Sequence, residues 1–491
     1  MEDTERNRPP VQGPTGQEGA AVVPARQPVS GGRPGPPAPC APPPPTRAHD
    51  QDESRAPARR PPGPRPADDV HCQIKGFAPG GCVAPGGTLD FRITVNPPRP
   101  FTVSVHRIGH YAGEGSRRLA DGPVLRGTRQ PDPLVVDRTV SCHHWWLSWR
   151  LPVPADWPPG AYTAVLTTAD GAHRSYIPFA VRDHREADLL LVLPDITWQA
   201  YNLFPDDGHT GASLHHAFDD QGRLLDEDEA AVTVCFDRPY AGDGLPSHIG
   251  HCHDVIRWAE RYGYELGYAT ARDLHAGRID PARHRALVFP GPDLYWSPAM
   301  RRAVEAARDA GTSLVFLSAH TMYWRAELAA LPTGDADRLL TCRKRRGPGR
   351  PVMWREQGEP EQQVLGVQYG GPVPEPHPLV VRNAGHWLWE ATGAAEGDEL
   401  PGLVAGAADR YFPRAPLPEY RSRILLAHSP YRDGAGARRH QETSLYQAAG
   451  GAWVFAAGTS GWCPALDRAG HADPRVQRAT ANLFDRISKR D

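Results

Sequence analysis

Five short stretches carry side chains able to hold a ligand, move a proton or bind a metal. They are PDITWQAYN (194–202), DRPY (237–240), ATARD (269–273), PGPDLYWS (290–297) and SAHTMYW (318–324), all crowded with Tyr, Trp, Asp and His. In PGPDLYWS one carboxylate, Asp293, stands between Pro292 and Leu294. Exposed aromatics cost solubility, so such loops read either as a pocket wall or as loop packed on loop. HIGHCHD (248–254) groups three His with a Cys. It reads either as a metal site or as the polar start of a helix. Other reaction signatures are missing. AGTSGW (457–462) has the wrong spacing for a nucleophile elbow. No GxGxxG follows a strand, and neither GxxxxGK[ST] nor HExxH occurs, so nucleotide cofactors and a zincin site have no support. No Cys sits in a strand-to-helix elbow, which disfavours a glutaminase-type nucleophile.

The elements that must position these groups are legible as apolar runs. DLLLVLPD (188–195) has the near-continuous apolar character of a central parallel strand. YELGYAT (264–270), HRALVFPG (284–291) and TSLVFLSA (312–319) follow as strands, and RILLAHSP (423–430) and GAWVFAAG (451–458) come later. Helical spacing separates them. HDVIRWAERYG (253–263) ends at a Gly, Ser297-Pro298 opens a helix that ends at Gly311, and a last helix covers 473–488. The expected class is α/β, with a parallel, flavodoxin-like or glutamine-amidotransferase-like sheet covered on both faces. All five stretches then fall just past strand ends, DRPY following the run VTVCF (232–236), where open α/β sheets bind ligands. Upstream, short alternating segments such as LDFRITVN (89–96) and YTAVLTT (162–168) argue an all-β, immunoglobulin-like sandwich. The first 68 residues are rich in Pro, Gly, Ala and Arg and nearly free of large apolar side chains, so a disordered tail is expected there. The expected division is 1–68, 69–184 and 185–491.

Composition narrows the function classes. Net charge is −2 over 491 residues, which argues against nucleic-acid and membrane-surface partners. Only Lys75, Lys344 and Lys489 are lysines among 55 basic residues, which reads as compositional bias. CRKRRGPGR (342–350) reads as a solvated loop. No stretch approaches the ~20 apolar residues of a membrane span. MEDTERNRPP lacks the pattern of a secretory signal, so a cytoplasmic location is expected. Eight scattered cysteines without CxxC suit free thiols, with a Cys72–Cys82 pair as the alternative.

Taken in order, LPDITWQAYN, FDRPY, WAERYGYELGYATARDLH, YWS, LSAHTMYW and DPRVQRATANLFDRI resemble the large-subunit domain of N,N-dimethylformamidase. FTVSVHRIGHY, VPADWPPGAYTA and SYIPFAVRD resemble the sandwich beside it. The resemblance implies hydrolysis of a small N-substituted amide at a mononuclear ferric iron held by two tyrosinates and a glutamate. It implies a small amide as substrate, and a small subunit or a homo-oligomer as partner. By motif position the tyrosines are Tyr201 and Tyr240. The glutamate position holds Leu294, and the histidine position two residues earlier holds Pro292. An asparagine position holds His320, and a further acid position holds Ala407, near Asp409. The resemblance thus implies Tyr201 and Tyr240 on a metal, with His320 or Asp293 completing the site or serving as base. The alternative is an inactive relative that keeps the fold as a binding or scaffold protein.

Overall fold

Short segments that alternate apolar and polar side chains build the first layer. They are β1 (Lys75–Phe77), β2 (Thr88–Thr94), β3 (Pro100–Ile108), β4 (Ser116–Asp121), β5 (Trp149–Pro152), β6 (Gly160–Thr168) and β7 (His173–Val181). One sheet runs β7-β6-β3-β4, and a smaller one runs β5-β2-β1. In β3, buried Phe101, Val103 and Val105 alternate with half-buried Thr102 and Ser104. Phe91 and Ile93 of β2 pack with Val103, Leu166, Ile177 and Phe179 in one core, so the sheets lie face to face.

The computed structural model describes residues 63–182, 187–344 and 353–488, which belong to one unit spanning Pro62–Asp491. Most of the expected tail, residues 1–62, lies outside the described residues. Its last part needs correcting: Arg65-Pro66 pairs in parallel with His173-Arg174 of β7, and Ala67 is buried. The expected boundary at 184/185 also falls outside the described residues. The sequence PLVVDRTV (133–140), read as one segment, is a hairpin turning at Asp137 and Arg138, both with positive φ. Most of the basic loop, 345–350, is outside the described residues, but its first residues, Cys342 and Lys344, are buried rather than solvated.

The second layer follows the alternation of strand and helix. Its elements are β8 (Leu189–Leu193), α1 (Asp195–Tyr201), α2 (Ile249–Arg261), β9 (Leu266–Thr270), α3 (Ala271–His275), β10 (Ala286–Phe289), α4 (Pro298–Asp309) and β11 (Ser313–Phe316). Then come the long strands β12 (Gln368–Val380), β13 (Glu399–Arg410), β14 (Tyr420–Arg432) and β15 (Arg438–Ala448), followed by β16 (Trp453–Ala456) and α5 (Pro474–Ser488). The sheet order is β9-β8-β10-β11-β16-β15-β14. The first five are parallel to one another, and the last two form an antiparallel flank. The sheet is therefore mixed, where a parallel one was expected. β8 shows why its sequence lacks alternation. Leu189, Leu191 and Leu193 face a core that includes Trp258 of α2 and Phe484 of α5. Leu190 and Val192 face another that includes Met300 and Val304 of α4. Both faces are covered, so every β8 residue is apolar.

The Ser297 hydroxyl caps α4 by accepting the Met300 N–H, and Pro298 occupies its first turn. Helix α2 starts earlier than its apolar spacing implies, because His251, Cys252 and Asp254 of its first turns are buried.

Truncating the fully buried Leu191 leaves a void in the most enclosed strand. Leu191→Ala is expected to lower unfolding stability by about 2–5 kcal/mol, read from urea melts at constant slope.

Candidate active-site cavity

Strand order reverses between β8 and β10: the chain leaves β8 for β9 on one side and later returns to β10 on the other. Loops leaving these two strands diverge there and open a crevice, the usual ligand position in open α/β sheets. A cavity of about 900 Å³ occupies this region. Tyr201, from the last turn of α1, lines it together with Pro292 and Leu294 from the loop after β10 and His320 from the loop after β11. His248 and His251 of α2, Tyr369 of β12 and Ala407 of β13 complete the inner wall. Arg468, His471, Asp473 and Arg475 also line the cavity.

Two polar links set the loop geometry. The Thr197 hydroxyl donates to Asp293 Oδ1 at 2.8 Å and accepts the Tyr295 N–H at 3.2 Å, tying α1 to the loop after β10. The Asp293 carbonyl accepts Trp296 Nε1–H at 2.9 Å and the Met322 N–H at 2.9 Å, tying in the loop after β11. Asp293 is thus turned into the fold and does not line the cavity, whereas its neighbour Leu294, 1% exposed, does. Burial raises the Asp293 carboxyl to about 7, against the Thr197 hydrogen bond. Its Oδ2 has no hydrogen-bond partner.

His320 adopts a left-handed φ of 59°, and Met322 a φ of 57°, an unusual conformation for side chains of this size. Asp409 Oδ1 accepts the His320 backbone N–H at 2.9 Å, which holds this turn. The imidazole stacks on Tyr369 at 3.6 Å between centroids, and its Nε2 is shielded without a partner. Burial, then Arg355 and Lys344, hold the ring well below the usual histidine range, so it is neutral. Asp409 resembles Asp293: burial raises it to about 7, and Oδ2 is unpaired.

Tyr201 stacks on His215 at 3.7 Å, with the edge of His248 at 6.0 Å. Its phenol is pushed above the usual tyrosine range by burial, then by Glu227 and Tyr369. Behind it, His215 Nε2 meets the Tyr295 hydroxyl at 2.7 Å, and His215 Nδ1 meets Glu227 at 3.2 Å. Lys344 bonds Glu227 and the Leu214 carbonyl. Burial, reinforced by Lys344, takes His215 down to about 2, so this ring is neutral as well. Sequence reasoning passed over His215; its only signal was a His-His pair in a loop. Tyr369 gave no signal, since it lies in a Gly- and Pro-rich strand. His248 and His251 belong to HIGHCHD. They flank the cavity with their rings 5.7 Å apart, and His251 Nδ1 is 3.1 Å from the His248 carbonyl.

Tyr240 lies elsewhere. It lines a second cavity of about 50 Å³, with Asp195, Trp198, Arg272 and the sandwich residues Phe77 and Phe179. Buried Arg238 fixes the preceding turn by donating to the carbonyls of Asn202 (2.7 Å), Ala212 (2.8 Å) and Phe204 (3.2 Å). Asn202 also bonds Pro239 and Ala241. The two phenols expected to share a cation therefore line different cavities. Five of the other positions taken from the resemblance, Tyr201, Pro292, Leu294, His320 and Ala407, do converge on the large one.

The family described as N,N-dimethylformamidase beta subunit-like, C-terminal, matches residues 102–475. The chain belongs to this family. The matched stretch begins in β3 and ends at the start of α5, so it takes in both layers and every loop of the cavity. No curated protein matches the chain. Among the described residues no helix is long and apolar enough to cross a membrane. The seven described cysteines are free, Cys72 and Cys82 included.

Asp293 and Asp409 give the fold a defined pH response. Each titrates near 3.8 when unperturbed and near 7 here, so between those values the folded state holds protons the unfolded state has released. Stability should fall as pH rises from about 4 to about 7 and level off above. Urea melts across this range should show a shallower slope in Asp293→Asn and in Asp409→Asn than in the wild type.

Proposed function

We propose that the large cavity takes a small N-substituted amide, and that the mononuclear iron chemistry implied by the family resemblance is lost in this chain. One observation carries this reading: five of the positions taken from the resemblance meet in one cavity, but the carboxylate position among them is an aliphatic wall residue, Leu294. The donor set does not fit the iron. Tyr240 lines another cavity, which leaves Tyr201 alone of the expected tyrosine pair on this wall. Among the described residues, no group of three His, Cys, Asp or Glu donors converges in this cavity.

What remains suits a neutral amide. The carbonyl oxygen can accept from the Tyr201 hydroxyl or from the N–H of neutral His248, and the N-alkyl groups meet Pro292, Leu294 and Ala407. The histidines present uncharged rings because burial lowers them, His251 to about 4.

A second reading, hydrolysis at an altered site, draws on different atoms. His320 Nε2 in the cavity wall, and Asp293 Oδ2 and Asp409 Oδ2 on the loops and strand that hold that wall, are buried polar atoms without partners, and such orphans gather at functional sites. In that reading His320 is the base, and the two carboxyls, poised near neutrality, position its loop. The mostly antiparallel layers support an immunoglobulin-like sandwich, and the strand reversal at β8 supports a flavodoxin-like sheet. A subunit partner is proposed on the family's beta-subunit description, and a cytoplasmic location on the free thiols.

Ligand-observed saturation-transfer NMR with N,N-dimethylformamide and N-methylacetamide tests the first reading. Transfer from wild type, about tenfold weaker binding by Tyr201→Phe on loss of one hydrogen bond, and no release of amine support it. No transfer defeats it. Amine release that His320→Gln abolishes would favour the second reading.

A further inference from the structure

The antiparallel flank of the sheet carries a donor cluster that the cavity does not use. β14 is the outermost strand, paired only with β15 within this sheet. His428 of β14 stands directly opposite Glu442 of β15, and His440 lies two residues before Glu442. Side chains two apart on a strand, and the partner across the ladder, share one face. The ladder is regular from Ala427 to Arg432, so backbone pairing, not a mobile loop, brings the three together.

The distances suit one small cation. His428 Nδ1 lies 3.0 Å from Glu442 Oε1, and His440 Nε2 lies 3.9 Å from Glu442 Oε2. One donor atom from each of the three residues falls within 4.8 Å of the others. Zinc bonds of about 2.0–2.2 Å in a tetrahedron set donors roughly 3.3–3.6 Å apart, so sub-ångström shifts close the site. The carboxylate is already fixed: Glu442 is 8% exposed, and its Oε2 accepts the Tyr411 N–H at 2.7 Å. The imidazoles are 46% and 33% exposed, which leaves solvent access for a fourth ligand. The cluster holds one carboxylate for two imidazoles, whose rings stack at 4.7 Å. Neighbouring cations are engaged elsewhere: Arg439 pairs with Asp433 at 2.8 Å, Arg410 lies on the Phe412 ring at 3.8 Å, and Arg423 donates to the Gly366 carbonyl at 3.1 Å.

We propose that His428, His440 and Glu442 form a zinc(II) site on the outer edge of the sheet, with water in the fourth position. Two imidazoles and a carboxylate favour zinc over magnesium or calcium, which take oxygen ligands, and over copper(I), which takes thiolates. The site shares no residue with the cavity wall.

The full chain, stripped with a chelator and desalted, is titrated with zinc(II) against a competing chromophoric indicator. One tight equivalent is expected in wild type and in Tyr201→Phe. Loss of one ligand should weaken it at least as much as loss of an outer hydrogen-bond partner, by roughly 100-fold, in His440→Ala and in His428→Gln. Both are half-exposed positions, and matching metal-free melting curves confirm folding. Cobalt(II) provides a readout on the wild type alone: an intense visible band marks a low-symmetry four-coordinate site. Equal zinc affinity in wild type and both variants, binding removed only by thiol alkylation, or the weak spectrum of hydrated cobalt would each overturn the proposal.

Discussion

At the strand-order reversal the buried Thr197 hydroxyl joins α1 to the loop after β10, through its bond to Asp293 and a second one from the Tyr295 N–H. The reversal itself creates a crevice whatever side chains line it. The bond decides which ones do. It draws the acid of the loop after β10 inward and leaves its neighbour Leu294 in the cavity wall. Asp293 also receives Trp296 and Met322 through its carbonyl, so hydrogen bonds tie α1 and the loops after β10 and β11 together. Buried acids near neutrality are costly to retain, so their presence beside the cavity records a need for fixed loop geometry.

The surrounding charges follow the same logic. Asp195, at the start of α1, pairs with Arg272 at 2.7 Å, and Arg272 reaches the Gly80 carbonyl of the sandwich layer at 2.7 Å. That chain links α1, α3 and the first layer. It also separates functions. Asp195 and Arg272 line the small cavity with Tyr240, while the neutral rings of Tyr201, His215, His248 and His320 gather at or just behind the wall of the large one. The large cavity is therefore low in fixed charge on its inner wall, with arginines such as Arg468 and Arg475 tied to acids on its lining. A neutral polar ligand suits such a space better than an anion does.

Much of this was legible in the chain, for physical reasons. A strand buried on both faces must be apolar throughout, so LLLVL announced itself, as did Ser297-Pro298 at the start of α4. The family was legible because long motifs mark it; the assignment of Leu294 and Pro292 to the glutamate and histidine positions rests on the resemblance. Three things were hidden. The long strands β12, β13 and β15 contain Gly-Gly, Pro and alternating charges, which resemble loops, since their ladders have exposed stretches. Motif order pairs Tyr201 with Tyr240 but says nothing of which cavity each side chain lines. His215 and the His428–His440–Glu442 cluster depend on tertiary stacking and on cross-strand register, which no local window contains.

The account stands on the loss of a metal-binding carboxylate from a cavity that otherwise keeps its walls. Iron per chain, measured by mass spectrometry on protein produced in iron-supplemented medium, tests it most directly. The account predicts iron well below one per chain, unchanged by Tyr201→Phe. Close to one iron per chain in the wild type, lost in Tyr201→Phe, would contradict it.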